Sequence, residues 1–297
     1  MDNRDKDGLT EREYLNGYRM ADFERPSVAA DMAIFTVTDR DEDNYRKLPE
    51  KELRILLVRR GAHPYLGQWA LPGGFVRTGE TTESAARREL REETGVADVH
   101  LEQLYTFSEL GRDPRGWIMS CSYMALIDGE NVQVKAGDDA DQAAWFKVSY
   151  RLLREQRDRM KDGYVQSLRN ELILENGSLT LTAEVEQRTI VSESSTSSEY
   201  AVFSNDGLAF DHAKIIACAI ERLRGKASYT DVAFHLMPTL FTLTELQQVY
   251  EVILDKELLK AAFRRKISHL VEETDHYAET AGHRPSKLYR RSWGRLN

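Results

Sequence analysis

Glu89, Glu92 and Glu93 are the residues of this 297-residue chain whose spacing most plainly permits chemistry. They lie in the run Gly73–Val96, GGFVRTGETTESAARRELREETGV. The residues from Glu83 to Thr94 are good helix formers. Thr81 or Thr82 can serve as N-cap and Gly95 as the stop. On such a helix the three glutamates share an arc of about 100°, while Arg87 and Arg91 point the other way, into solvent. Three carboxylates on one face repel unless something positive sits between them. A hard divalent cation with oxygen ligands, Mg²⁺ above all, meets that need. The plainer reading is a solvated helix laced by Glu–Arg pairs. It leaves unexplained why Gly73, Gly74, Glu80 and Gly95 stand at fixed offsets around the helix.

Several elements must hold that helix. Val28 to Val37 reads as a buried strand and Leu53 to Val58 as a second. Arg59 and Arg60 follow, placed either to reach a phosphate or to sit as solvated edge charge. Tyr65 to Val76 delivers the chain to the glycines. Within it Trp69 and Phe75 could each stack a base or join a core, and core suits Phe75. Strands are expected around Val99 to Phe107, Trp117 to Ile127 and Ala143 to Val148, which makes the first part α/β. Two loops stand between these strands: GRDPRGW, 111–117, with Arg112 and Arg115 flanking Pro114, and the acidic GDDADQAAWF, 137–146.

Composition is that of a globular chain, 41% hydrophobic and 30% charged. No apolar run approaches the roughly 20 residues that span a bilayer, so no membrane partner is expected, and the polar first residues lack a signal peptide's apolar core. Cys121 and Cys218, far apart in apolar contexts, read as free thiols of a cytoplasmic protein. The net charge of −8 is uneven: residues 208–297 hold 14 Lys and Arg against 11 Asp and Glu, or +3, which leaves −11 on the first 207. That asymmetry suggests separate units with different partners.

We divide the chain at 1–148, 149–207 and 208–297. In the middle piece, 151–172 is expected as a charged helix, Ile173 to Val185 as a hairpin around Asn176-Gly177, and the Ser-rich run after it as a loop and a short strand. It reads as a linker extension packed on the front domain or on a partner subunit. In the last piece Asp211 can cap a helix running to Arg224-Gly225. Thr242 or Thr244 opens another, and a third, from about Glu257 to Leu270, gathers Lys260, Arg264, Arg265 and Lys266. Two polar strands around a glycine turn follow, carrying Arg284, Lys287, Arg290 and Arg291. Helix, helix, basic helix and hairpin is the order of a winged helix-turn-helix, whose basic helix would contact DNA.

The run from Gly74 to Val96 resembles the Nudix box at every defining position. The resemblance implies an α/β/α sandwich with a mixed sheet that binds Mg²⁺ or Mn²⁺ and hydrolyses a nucleoside diphosphate linked to another moiety. Glu89 and Glu93 would be the principal metal ligands, and Glu92 a further ligand or water-positioning group. Arg88 would hold the carboxylates, and a carbonyl at Gly73 or Gly74 would complete the shell. GRDPRGW resembles the loop of the branch that recognises ADP-ribose, which adds Arg112 and Arg115, with Arg60, Trp69, Gly73 and Gly74, to the expected substrate site. The acidic loop would supply one more metal ligand or the general base from Asp138, Asp139 or Asp141. The tandem with a winged helix, and the runs RDPRG, GDDA, LAFDH, FTLTELQ and FRRK, resemble the Nudix-related transcriptional regulators of NAD metabolism. Members sense ADP-ribose and bind operator DNA as homodimers. Many have a degraded box, whereas this box is intact, which favours retained hydrolysis of ADP-ribose. The alternative is a non-catalytic ADP-ribose sensor.

Overall fold

The computed structural model describes residues 3–40, 49–97, 99–129, 140–278 and 285–293. Its centre is a ten-stranded mixed sheet. The strands are β1 (Ser27–Asp39), β2 (Lys51–Arg60), β3 (Trp69–Ala70), β4 (Gly73–Phe75), β5 (His100–Phe107), β6 (Ile118–Leu126), β7 (Ala140–Met160), β8 (Gly163–Asn176), β9 (Leu179–Ser192) and β10 (Thr196–Asp206). The order is β10-β9-β8-β7-β2-β1-β6-β5, with β3 on β2 and β4 on β1. Among the described strands of this sheet only β1 and β6 pair in parallel, and Trp69 makes an isolated parallel bridge to Leu208.

Alternation along β1 and β2 explains the layers. Ala33, Phe35, Val37, Leu53, Ile55 and Leu57 point to one face, into the core that α3 (His212–Tyr229) and α4 (Leu243–Leu254) close. Ala30, Met32, Ile34 and Leu56 point to the other, where α2 (Thr82–Thr94) lays Ala85, Ala86 and Leu90 on them. The third layer of the sandwich is therefore a helix that begins beyond residue 208. A short exposed helix, α1 (Glu11–Gly17), precedes the sheet. Among the described residues no helix is long and apolar enough to cross a membrane.

The expected charged helix over 151–172 is instead strand. β7 runs on to Met160, turns through Lys161 and Asp162, and pairs with β8 from Met160↔Gly163 back to Lys147↔Glu175. Arg, Leu, Glu and Gln favour helix in isolation, and beyond Tyr150 the strand is exposed on both faces, so no period of two marks it. Ladder pairing outweighs the local preference. At Gly163 the ladder leaves no room for a side chain, since a Cβ would sit 1.9 Å from the Val191 carbonyl oxygen. The Asn176-Gly177 hairpin and the strand after the serines form as expected. Cys121 and Cys218 are both free thiols.

The last part follows the winged-helix order. After α3 come a 3-10 turn (Val232–Leu236), α4, α5 (Lys260–Ile267), and the hairpin β11 (Val271–Ala278) and β12 (Ser286–Arg291). Thr242 caps α4 in a reciprocal box with Glu245. Phe241 bridges Tyr289 as a third short strand of the wing. α3 runs through Gly225 to Tyr229, and the basic helix is shorter than expected.

Candidate active site and nucleic-acid interface

The glycines of the box are there for close approach. Gly73 and Gly74 on β4 pair with Asp31 and Ala30 of β1. A Cβ on Gly73 would lie 2.4 Å from the Ala30 carbonyl oxygen, and one on Gly74 would lie 2.2 Å from Glu89 Oε1. α2 then starts at Thr81, whose hydroxyl accepts from Ser84 N at 3.1 Å while Ser84 Oγ accepts from Thr81 N at 2.7 Å. It stops at Gly95, left-handed with φ 71°. The helix buries Ala85, Ala86 and Leu90, and the same rotation carries Glu93 to 7% exposure beside the sheet. Glu89 is largely buried and Glu92 is half exposed.

Arg88 ties the acids together. Its Nε donates to Glu80 Oε1 at 2.7 Å and one terminal nitrogen to Glu80 Oε2 at 3.1 Å. The other terminal nitrogen reaches Glu89 Oε1 and, at 3.4 Å, Glu92 Oε2. Phe75 O accepts a further bond at 3.3 Å. The bidentate Arg88 pair, with the Arg77 backbone N–H, holds the Glu80 carboxyl down to about 2. Burial raises Glu89 above the usual range even though Arg88 opposes it.

That donor set fits a divalent cation. Among the described residues no three acidic, His or Cys side chains converge as a ready cage. Mg²⁺ needs no such cage: it takes one or two carboxylates and fills its shell with water and ligand phosphate oxygens. Glu89 and Glu93 would hold it, with the side-chain-free edge at Gly74 giving it room.

Before this helix lies a cleft of about 470 Å³. Gly73, Gly74, Glu89, Glu92 and Glu93 line it together with Arg60, Arg112 and Arg115. Arg115 donates to Asp113 through Nε at 3.0 Å and a terminal nitrogen at 2.7 Å. Its guanidinium carbon lies 5.1 Å from the Phe75 ring centre and 5.3 Å from that of Phe210. Arg60 donates to Pro64 O at 2.7 Å and stacks over Phe210 at 4.9 Å. Arg112, 4% exposed, is held bidentately by Asp211, Nε to Oδ2 at 3.0 Å and a terminal nitrogen to Oδ1 at 2.6 Å.

Sequence reasoning and geometry part company at some positions. Trp69 does not line this cleft: it is buried edge-on against Phe146, with ring centres 4.8 Å apart. Phe75, expected in the core, is 43% exposed and lines the cleft. Asp211 stands at the N-cap of α3 but makes no cap bond, since its carboxylate is on Arg112. Arg77, Phe210 and His212 line the cleft and were not foreseen. His212 is buried, kept neutral by burial, and accepts from Leu71 N at 2.8 Å. The LAFDH run is legible as a motif, but its place in the sequence assigns it to the last piece of the chain. Asp138 and Asp139 lie outside the described residues, as does the side chain of Asp141.

α5 buries Phe263 and Ile267 and exposes Lys260, Arg264, Arg265 and Lys266. Lys266 donates to Ser228 O at 2.9 Å. The wing is less basic than its composition: Lys287 pairs with Glu273 at 2.6 Å, Arg290 with Glu272 at 3.0 Å, and Arg291 with Asp231. Arg284 lies outside the described residues.

Family models match two stretches of the chain. The NUDIX domain matches residues 40–165, and the NrtR DNA-binding winged helix domain matches 233–291, beginning after α3. Over 285 residues the chain is 33% identical to the ADPR responsive transcriptional repressor NtrR of Acinetobacter baylyi, covering 95% of this chain and 88% of that protein. This chain belongs to the NrtR family. Shewanella oneidensis NrtR, solved in complex with a 27mer DNA, superimposes on this family member with a TM-score of 0.59 at 28% identity, covering 89% of this chain and 93% of that one. Within the Nudix part, 100 residues are 43% identical to the ADP-ribose pyrophosphatase of Methanocaldococcus jannaschii, 34% of this chain and 58% of that protein. The NrtR-type architecture thus joins a Nudix domain to a winged helix in one chain.

Proposed function

We propose that this protein is a DNA-binding regulator that responds to ADP-ribose or a closely related nucleoside diphosphate sugar. The observation that carries the reading is the lining of the cleft, which combines residues of the Nudix box with Phe210 and His212, at the turn that opens α3. A ligand there touches the helix that precedes the winged unit. The cleft suits a diphosphate, with guanidinium groups, carboxylates and two phenyl rings in its lining. Both relatives carry ADP-ribose in their names, which supports that choice of ligand. The winged unit would bind as one half of a homodimer, with α5 in the major groove and Lys287 of the wing near the backbone. Two copies would read an inverted repeat with half-sites about one helical turn apart.

A second reading is favoured by the completeness of the box: the same cleft hydrolyses its ligand to AMP and ribose 5-phosphate. Water adds to one phosphorus and the bridging oxygen leaves with the other phosphate, giving two monophosphates. Mg²⁺, when bound, supplies charge to the diphosphate and acidifies a water. The chain's own part is to keep Glu89, Glu92 and Glu93 facing the cleft through Arg88, and to hold the phosphates with Arg115 and Arg60.

One pair of assays tests both. Fluorescence anisotropy with labelled DNA from upstream of the protein's own gene, in EDTA, should show binding that ADP-ribose weakens. Incubation of the protein with ADP-ribose and Mg²⁺ should release AMP. Binding indifferent to ADP-ribose removes the regulator reading, and absence of AMP removes the hydrolase.

A further inference from the structure

Resting on the regulator reading, we propose that Asp211 is the coupling residue between cleft and winged unit, and that it works by competing with the ligand's phosphate for Arg112. Three observations carry this. Asp211 and Arg112 form a two-bond ion pair across the cleft wall, joining the 111–117 loop to the first turn of α3. Arg112 is nearly fully buried, and a further carboxylate, Asp31 Oδ2, stands 3.8 Å from it. A second clasp lies next to it, where His212 Nδ1 accepts from Leu71 N. The start of α3 is thus fastened to the ligand cleft at two adjacent residues.

The chemistry sets a choice. An arginine fork satisfied by one carboxylate satisfies a phosphate with the same geometry, but not both at once. A phosphate that takes Arg112 leaves Asp211 with an uncompensated charge in a partly buried place. An alternative partner is at hand: Asp211 occupies the N-cap position of α3 and gives that helix no side-chain cap, while His212 N and Lys214 N bond to the carbonyls of Ala209 and Asp211. Turning from Arg112 to cap the helix, the carboxylate unfastens α3 from the 111–117 loop. Phe210, held in the left-handed region at φ 53°, stacks under Arg60 and Arg115 and would move with the same turn. The clasped arrangement is the DNA-competent one, and ligand opens it. By linkage DNA must then weaken ligand binding by the same factor.

Asp211→Asn and Asp211→Ser test this, because both residues cap helices well and neither carries charge. Calorimetry with ADP-ribose in EDTA should show ligand binding about tenfold tighter in both variants, since the competitor for Arg112 is gone. Anisotropy should show weaker DNA binding without ligand, and a smaller further loss when ADP-ribose is added. A merely structural role for Asp211 would weaken both ligand and DNA, so tighter ligand binding is the deciding sign. Ligand affinity equal to or below the parent's, in variants with parental circular dichroism, overturns the proposal. If the parent itself shows no ligand effect on DNA, the regulator reading fails instead, and the two outcomes are told apart.

Discussion

The charges of the cleft and the charges of α5 are the same residue types put to opposite conditions. In the cleft, Arg88, Glu80 and Glu89 are mostly buried and bonded to one another, and Arg112 is locked to Asp211. On α5, Lys260, Arg264 and Arg265 are exposed, with no ion pair among the described residues. Burial makes each cleft bond a strong constraint on geometry, since an unpaired charge there is costly. Exposure leaves the α5 cations hydrated and mobile until a polyanion supplies the partners. A site for chemistry on one bond needs fixed positions, whereas a site for a charged backbone needs available ones.

The largest effect should come from breaking the fixed side. Glu93→Gln keeps shape and removes one buried negative charge. Hydrolysis of ADP-ribose with saturating Mg²⁺ should fall by about a hundredfold or more, while the melting temperature stays close to the parent's. Near-parental turnover would remove Glu93 from the ligand set.

On the available side, replacing both Arg264 and Arg265 with Ala should weaken DNA binding about thirtyfold at low salt and flatten the log–log salt dependence by about two units of slope. ADP-ribose hydrolysis should be untouched. A variant with the parent's slope would mark these arginines as ordinary surface charge.

The same contrast explains what could be read in the sequence. The box was legible because its constraints are local: Gly74 must clear Glu89 fifteen positions on, and Arg88 must reach Glu80 within one loop and helix. The basic helix was legible from its period around Phe263 and Ile267. What was hidden depends on pairs distant in the chain. Arg112 meets Asp211 and Leu71 meets His212 only after α3 closes the sandwich, and nothing within either segment announces it. The core reading fits Trp69 rather than Phe75, because each is an aromatic beside the same glycines and strand pairing alone decides which faces in. The wing's cations were legible as charge, but not as already spent on Glu272, Glu273 and Asp231.

Arg115 stands between the two regimes, bonded to Asp113 yet about two-fifths exposed. On the hydrolase reading a ligand phosphate would meet it in ground and transition state alike, and its contribution would be uniform binding. Arg115→Ala should raise KM for ADP-ribose about fivefold and leave kcat within about twofold. An unchanged KM in steady-state assays would set Arg115 outside the ligand's reach.

The smallest expected effect lies at the seam between the regions. His235, on the turn before α4, stacks on His100 of β5 with ring centres 4.3 Å apart. Burial pushes His235 down to about 4, helped by His100 and Arg291 and opposed by Asp231. Burial also lowers His100, against the pull of Glu102 3.6 Å away and with Lys226 and Arg291 adding to the fall. Both rings therefore bind fewer protons folded than unfolded between their folded values and the ordinary 6.5. Stability rises with pH wherever the unfolded chain holds more protons. The stack's contribution is thus full above about 6.5 and drains as pH falls toward the folded value. Between pH 7 and 5, mostly above the carboxylate range, the melting temperature should drop by a few degrees. His235→Gln, which cannot take up a proton, should lose less over the same interval. Equal losses in scanning calorimetry would mean that the stack stays neutral without cost, and that the acid sensitivity lies elsewhere in the fold.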